Sequence, residues 1–216
     1  MNQAPDLVAI AIPIAIVLAA LTIHEAAHAW SADKLGDPTA RLLGRVSLNP
    51  IVHIDPIGTI LLPLLAAFSN LPIIGWAKPV PVNISRFKDP RRDFMIVAAA
   101  GPISNLLQAL AAAILLHAVT PADQSVFSLL ASGSLLADVL FAAVQINIFL
   151  ALFNLIPVPP LDGGNVLAGL LPPSAAQVFD GMRAYGFIIL YALMFTGALS
   201  AIIVPPALFL MRLLLT

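Results

Sequence analysis

Residues 7–30 read LVAIAIPIAIVLAALTIHEAAHAW, an apolar run of membrane-spanning length that ends in two histidines and a glutamate. Such a run suffices for a helix that crosses the ~30 Å hydrocarbon core of a bilayer. Ionisable groups placed at that depth are costly and mark function. On a helix, His24 and His28 stand four residues apart and leave the same face. Glu25 lies beside them and is the only glutamate among 216 residues. The order His-Glu-x-x-His is a zinc-hydrolase pattern in which both imidazoles hold the metal and the carboxylate takes a proton from water.

Working outward from this run, the composition is that of a membrane protein. The chain is 60% hydrophobic and 10% charged, with a mean hydropathy of +1.00, whereas soluble domains carry about 25% charged residues. A net charge of −1 leaves no basic surface for nucleic acid. The absence of cysteine excludes disulfides and a thiol nucleophile. Asp6 precedes the first apolar run without a basic region, so no cleaved signal peptide is expected. At this length one domain over 1–216 is expected.

Long apolar segments lie at 7–32, 93–118, 126–156 and 186–204. The last continues past Pro205-Pro206 to 215, which predicts a broken helix or an amphipathic tail within 186–215. Segment 57–74 is apolar but interrupted by Pro63 and Pro72, marginal for a span. Residues 75–83 set Pro79 and Pro81 among valines, which predicts an extended or polyproline conformation. Eight of the ten Lys and Arg fall between Lys34 and Arg92, which places that region in the cytoplasm. Segment 57–74 is then expected to enter the membrane and return, so that 7–32 and 126–156 run the same way with 93–118 opposed. The expected fold is an all-α polytopic membrane protein of four to six helices, with a re-entrant segment and short membrane-associated strands.

A catalytic zinc takes three protein ligands and keeps one open position. No second glutamate exists to serve as the third, and the position that would extend the motif toward another histidine is Ser31. The candidates are His53, His117 or an aspartate. His53 precedes Ile-Asp-Pro in a turn and suits hydrogen bonding; His117 falls at the far end of 93–118; Asp55 and Asp138 read as helix-end residues. Asp162 is the best candidate. It sits in NLIPVPPLDGG, residues 154–164, where prolines break the helix and glycines let the chain turn a buried carboxylate into a cavity.

Three motifs in order carry a resemblance: HEAAH at 24–28, AGPISN at 100–105 and NLIPVPPLDGG at 154–164. Over about residues 7–170 the chain resembles the site-2 protease family of intramembrane zinc metalloproteases, in its compact form without a PDZ or CBS domain. The resemblance implies one Zn2+ held by His24, His28 and Asp162, with Glu25 as general base and Asn154 positioning substrate or stabilising the oxyanion. It implies a multi-pass protein of the cell (inner) membrane that cleaves transmembrane protein substrates, such as a membrane-bound regulatory factor or a signal-peptide remnant. The motif's place near the cytoplasmic end of the first helix predicts cleavage toward that side. Gly75, Trp76, Ala77 and Lys78 are suited to pair with an unwound substrate as an added strand. Ser104 and Asn105 are candidates for bonding to the groups behind the ligands, or for packing helices together. The alternative is a metal-ion transporter or a non-proteolytic metal-binding membrane protein. It predicts polar residues on several helices, yet 186–204 offers only Tyr191, Thr196 and Ser200.

Overall fold

The computed structural model describes residues 7–62, 64–65 and 75–216. Nine α-helices occur among the described residues: α1 (Leu7–Lys34), α2 (Thr39–Leu42), α3 (Pro90–Val119), α4 (Val126–Ala131), α5 (Leu135–Asn154), α6 (Asp162–Leu170), α7 (Pro173–Gly181), α8 (Gly186–Phe195) and α9 (Ala198–Leu215). Among the described residues five helical stretches are long and apolar enough to cross a membrane: Ala11–Lys34, Pro90–Val119, Leu135–Asn154, Pro173–Phe195 and Ala198–Leu215. The protein is therefore an all-α polytopic membrane protein with a span count inside the expected range.

Helix α3 is the spine. Its buried face runs through Ala98, Gly101, Asn105, Ala109, Ala112 and Leu116, a helical stripe of mostly small residues. Lipid is as apolar as leucine, so helices in a bilayer associate where small residues let them approach closely. Ala109, Ala112, Ala113 and Leu116 pack in one cluster with Ala137, Val144 and Ile148 of α5. On the other flank, His28 of α1 meets Val97 while Ala20 meets Asn105, so α1 runs antiparallel to α3. Asn105 also bonds Asn147 of α5, while Arg91 at the start of α3 bonds Ala168 of α6. Helices α1 and α5 thus run parallel with α3 opposed between them, as the placement of the motifs requires.

Two boundaries differ from expectation. Segment 126–156 is divided into α4 and α5 by Ser132-Gly133-Ser134, where Ser134 caps α5 by accepting the Ala137 N–H. In the C-terminal region the helix breaks at Gly197, φ 75°, and Pro205 and Pro206 lie inside α9. Two prolines remove two N–H donors, but a membrane helix tolerates freed carbonyls that neighbouring groups can re-satisfy. A positive φ instead redirects the chain, which is why the turn falls at the glycine.

Among the described residues no strand forms. Residues 75–83, expected to be extended or polyproline, form neither helix nor strand, and they bond to irregular loop. The Trp76 N–H donates to the Gly58 carbonyl (3.1 Å) and the Lys78 N–H to the His53 carbonyl (2.8 Å). Asp55 caps the wide turn Pro56–Leu61, accepting from the Ile57 and Gly58 N–H groups at 3.0 and 2.7 Å. Most of the expected re-entrant stretch, residues 63 and 66–74, lies outside the described residues.

Asp37 fastens the turn after α1 to the segment that leads into α3. Its side chain is fully buried. It accepts from the Thr39 N–H (3.1 Å), the Thr39 hydroxyl and the Asn83 N–H (2.6 Å), with the Arg86 Nε 3.9 Å away. Burial by itself would raise the Asp37 pKa. The bonds from Thr39 and Asn83 outweigh it, with help from Arg86, and hold the carboxyl below the ordinary aspartate range. A depressed folded-state pKa contributes stability that is present above the unfolded value of about 3.9 and lost as pH falls through the folded value. The melting temperature of the detergent-solubilised protein is accordingly expected to fall with acidification below about pH 4. Asp37→Asn should be destabilised by ~1–3 kcal/mol at neutral pH and show a smaller acid-dependent loss, both measurable by thermal unfolding.

Candidate metal centre

The last turns of α1, the middle of α3 and the first turn of α6 meet around three side chains. His24 and His28 are buried at 3% and 7% exposure. The Asp162 Oδ2 lies 3.1 Å from the His24 Nε2 and 3.3 Å from the His28 Nε2, and the two Nε2 atoms are 3.1 Å apart. One ligand atom from each residue falls within 4.8 Å of the others.

The outer nitrogens show what this cluster is built for. The His28 Nδ1 lies 2.7 Å from the Val97 carbonyl, which can only accept, so Nδ1 carries the proton. The His24 Nδ1 lies 2.6 Å from the Asn105 Oδ1 and donates in the same way. In its neutral form each ring therefore turns its Nε2 lone pair inward, toward a carboxylate oxygen that is buried and has no hydrogen-bond partner among the described residues. The short His–Asp separations and the absence of a donor to Oδ2 agree for neutral rings, because a ring protonated at Nδ1 has no proton to give at Nε2. Three acceptors this close repel one another unless a cation lies among them. Two imidazoles and one carboxylate make a zinc donor set that leaves a fourth position for water or substrate.

Local sequence explains how each candidate ligand arrives. The backbone of Gly101 faces the two histidines; a Cβ there would stand 2.4 Å from the His28 Nε2 and 2.6 Å from the His24 Nε2. Asp162 opens α6 after the Pro-Val-Pro-Pro turn that follows α5. Gly163 serves by its lack of a side chain, since a Cβ would lie 2.2 Å from the Leu155 carbonyl. The glycines of this motif thus let the start of α6 sit against the turn after α5, and neither has a positive φ.

The remaining sequence candidates are placed as follows. Glu25 is half-buried beside the ligands, and its charge reaches both His28 and Arg45. Asn105 contacts His24 directly, while the Ser104 hydroxyl donates to the Gly101 carbonyl of its own helix (2.7 Å). Asn154, the last residue of α5, donates from Nδ2 to the Leu150 carbonyl (3.0 Å) and makes no hydrogen bond to the trio. His53 is buried elsewhere, its ring bonded to the Ser47 carbonyl (2.9 Å) and to Arg45 (3.4 Å). His117 reaches the Leu214 carbonyl at the far end of α3 (2.9 Å). The sequence reading did not single out the Val97 carbonyl, the role of Gly101 or Asn147. The small-residue stripe on α3 signals Gly101, but a main-chain carbonyl carries no sequence signature.

An all-α membrane bundle with a buried His-His-Asp cluster and an adjacent glutamate defines an intramembrane metallohydrolase. The comparisons with known proteins agree. The model of peptidase family M50 matches residues 12–196, and the chain belongs to that family, the site-2 proteases. It is 40% identical over 190 residues to "Putative zinc metalloprotease YwhC" of Bacillus subtilis, covering 88% of this chain and 82% of that protein. It is 30% identical over 184 residues to "Putative zinc metalloprotease Rip2" of Mycolicibacterium smegmatis, covering 85% of this chain and 66% of that one. The Mycobacterium tuberculosis Rip2 is likewise 30% identical, over 192 residues. No solved structure matches the chain. The protein is a zinc-dependent intramembrane metalloendopeptidase.

Gly101→Ala is expected to reduce bound zinc from about one per chain to near zero while leaving helical content unchanged. Metal analysis beside circular dichroism checks this.

Proposed function

We propose that this protein, as one protease domain over 1–216, cleaves transmembrane segments of other membrane proteins near their cytoplasmic ends. In this reading His24, His28 and Asp162 hold the zinc and Glu25 is the general base. The observation that carries it is the convergence of two Nε2 lone pairs and the partnerless Asp162 Oδ2 in a buried site beside Glu25. Zinc bound there would acidify water and polarise a carbonyl. Glu25 takes the proton as the water oxygen bonds to the scissile carbonyl carbon. It then delivers that proton to the amide nitrogen as the C–N bond breaks. Asn154, with one N–H left after its bond to Leu150, is the proposed donor that positions the substrate or its oxyanion.

A helical substrate must unwind first, because its own carbonyls are already bonded. The extended segment Gly75, Trp76, Ala77 and Lys78 is the proposed partner for the unwound chain. Trp76 and Lys78 spend their N–H groups on Gly58 and His53, and Arg45 donates to the Lys78 carbonyl. Successive residues of an extended chain face opposite edges, and among the described residues the Ala77 N–H and carbonyl have no hydrogen-bond partner. That free edge supports strand addition. The concentration of Lys and Arg between 34 and 92 supports a cytoplasmic placement of this side, and a cell (inner) membrane location.

Two experiments test the reading on a single-span substrate in proteoliposomes. Glu25→Gln should keep zinc and lose cleavage by ~10²–10⁴-fold, whereas Asp162→Ala should lose both. Full zinc occupancy with unchanged cleavage in Asp162→Ala refutes the ligand assignment. Ala77→Pro, which removes the free N–H, should raise KM with little change in kcat; a fall in kcat at constant KM would refute strand addition.

A further inference from the structure

Behind the ligands lies a chain of directional hydrogen bonds across three helices. The Asn147 Nδ2 donates to the Ala143 carbonyl at 3.0 Å. Its Oδ1 accepts from the Asn105 Nδ2 at 2.9 Å, and the Asn105 Oδ1 accepts from the His24 Nδ1 at 2.6 Å. Asn105 is fully buried and Asn147 is 4% exposed, so neither amide can turn to water for a partner. An amide can be rotated to exchange its oxygen and nitrogen, so its orientation must come from its surroundings. Here the orientation starts from the Ala143 carbonyl, which can only accept. That group sets Asn147, Asn147 sets Asn105, and Asn105 leaves an oxygen facing His24.

We propose that Asn147 is a positioning residue for metal binding: through Asn105 it holds His24 in the tautomer whose Nε2 lone pair faces the ligand site. The proposal rests on His24 being a ligand, as argued above. If the Asn105 amide were reversed, its NH2 would face the His24 Nδ1. The ring proton would then move to Nε2, where it blocks coordination. Among the described residues the Ala20 carbonyl is the only other acceptor bonded to the Asn105 Nδ2, and at 3.5 Å it is a weak one. Asn147 is therefore the stronger determinant. A polar amide inside a membrane span is costly unless its bonds are made, and this one makes both.

The two histidines are oriented by different devices. His28 is held by the Val97 main-chain carbonyl, which no substitution at that position removes. His24 depends on a relay of side chains, and sequence change can break it. Partners of this kind typically contribute 10–100-fold to metal affinity (about that range).

Chelator competition on the zinc-loaded full-length protein in detergent tests the relay. Asn147→Leu, similar in volume but without an acceptor, should weaken zinc binding about 10–100-fold. Asn147→Asp should restore it, since a carboxyl oxygen still accepts from Asn105, and its hydroxyl, when protonated, still donates to Ala143. Asn105→Asp presents only acceptors to His24, so adding Asn147→Leu in that background should cost little more. His24→Ala is the control for the ligand set: loss of zinc there keeps a failure of the relay separate from a failure of the ligand assignment. Unchanged zinc affinity in Asn147→Leu would overturn the proposal. So would an Asn147→Asp loss as large as that of Asn147→Leu, or an undiminished Asn147→Leu cost beside Asn105→Asp.

Discussion

Three acceptors turned toward one point, two imidazole lone pairs and one carboxylate oxygen, are the constraint on which this structure depends. Nothing in an apolar bundle stabilises such a convergence except a cation placed among them. The surroundings therefore have to hold each acceptor in place against mutual repulsion. The Val97 carbonyl and the Asn105 amide hold the outer ring nitrogens. The Pro-rich turn and the close contact at Gly163 hold Asp162. Oriented partners behind the ligands fix the tautomers and raise ligand basicity.

The bundle is organised to supply these partners. Helix α3 contributes no candidate ligand, yet it touches α1, α5 and α6: Val97 and Gly101 face α1, Asn105 joins α1 to α5, and Arg91 bonds the end of α6. Its small residues bring main chain close enough to the histidines for a carbonyl to serve as a hydrogen-bond acceptor. Asp37 extends the same logic outside the membrane by fastening the turn after α1 to the residues that lead into α3. The free edge at Ala77 lies on a segment anchored through Trp76 and Lys78, so the proposed substrate contact is held by loop rather than by a sheet.

Much of this was legible in the sequence, because the signals were local. A membrane span is visible as a run of apolar residues, and HEAAH is visible because i and i+4 share a helix face. The lack of any glutamate besides Glu25 narrows the third ligand by composition alone. Local signals misled where helix breaks were concerned. Pro205-Pro206 marked the place where 186–215 was expected to break or turn amphipathic, but α9 continues through it and the break falls at Gly197. A membrane helix can bear missing donors, whereas a positive φ redirects the backbone.

The sequence by itself determined the membrane class, the two histidines and the base candidate, since each depends on residues adjacent along one helix. Tertiary structure decided which distant aspartate meets them. It also decided why Gly101 has no side chain and which groups set the ring tautomers. Those relations join residues some 40 to 140 positions apart, and a carbonyl such as Val97 acts through main chain that every residue shares. Only packing brings them into the few ångströms over which a hydrogen bond or a shared cation acts.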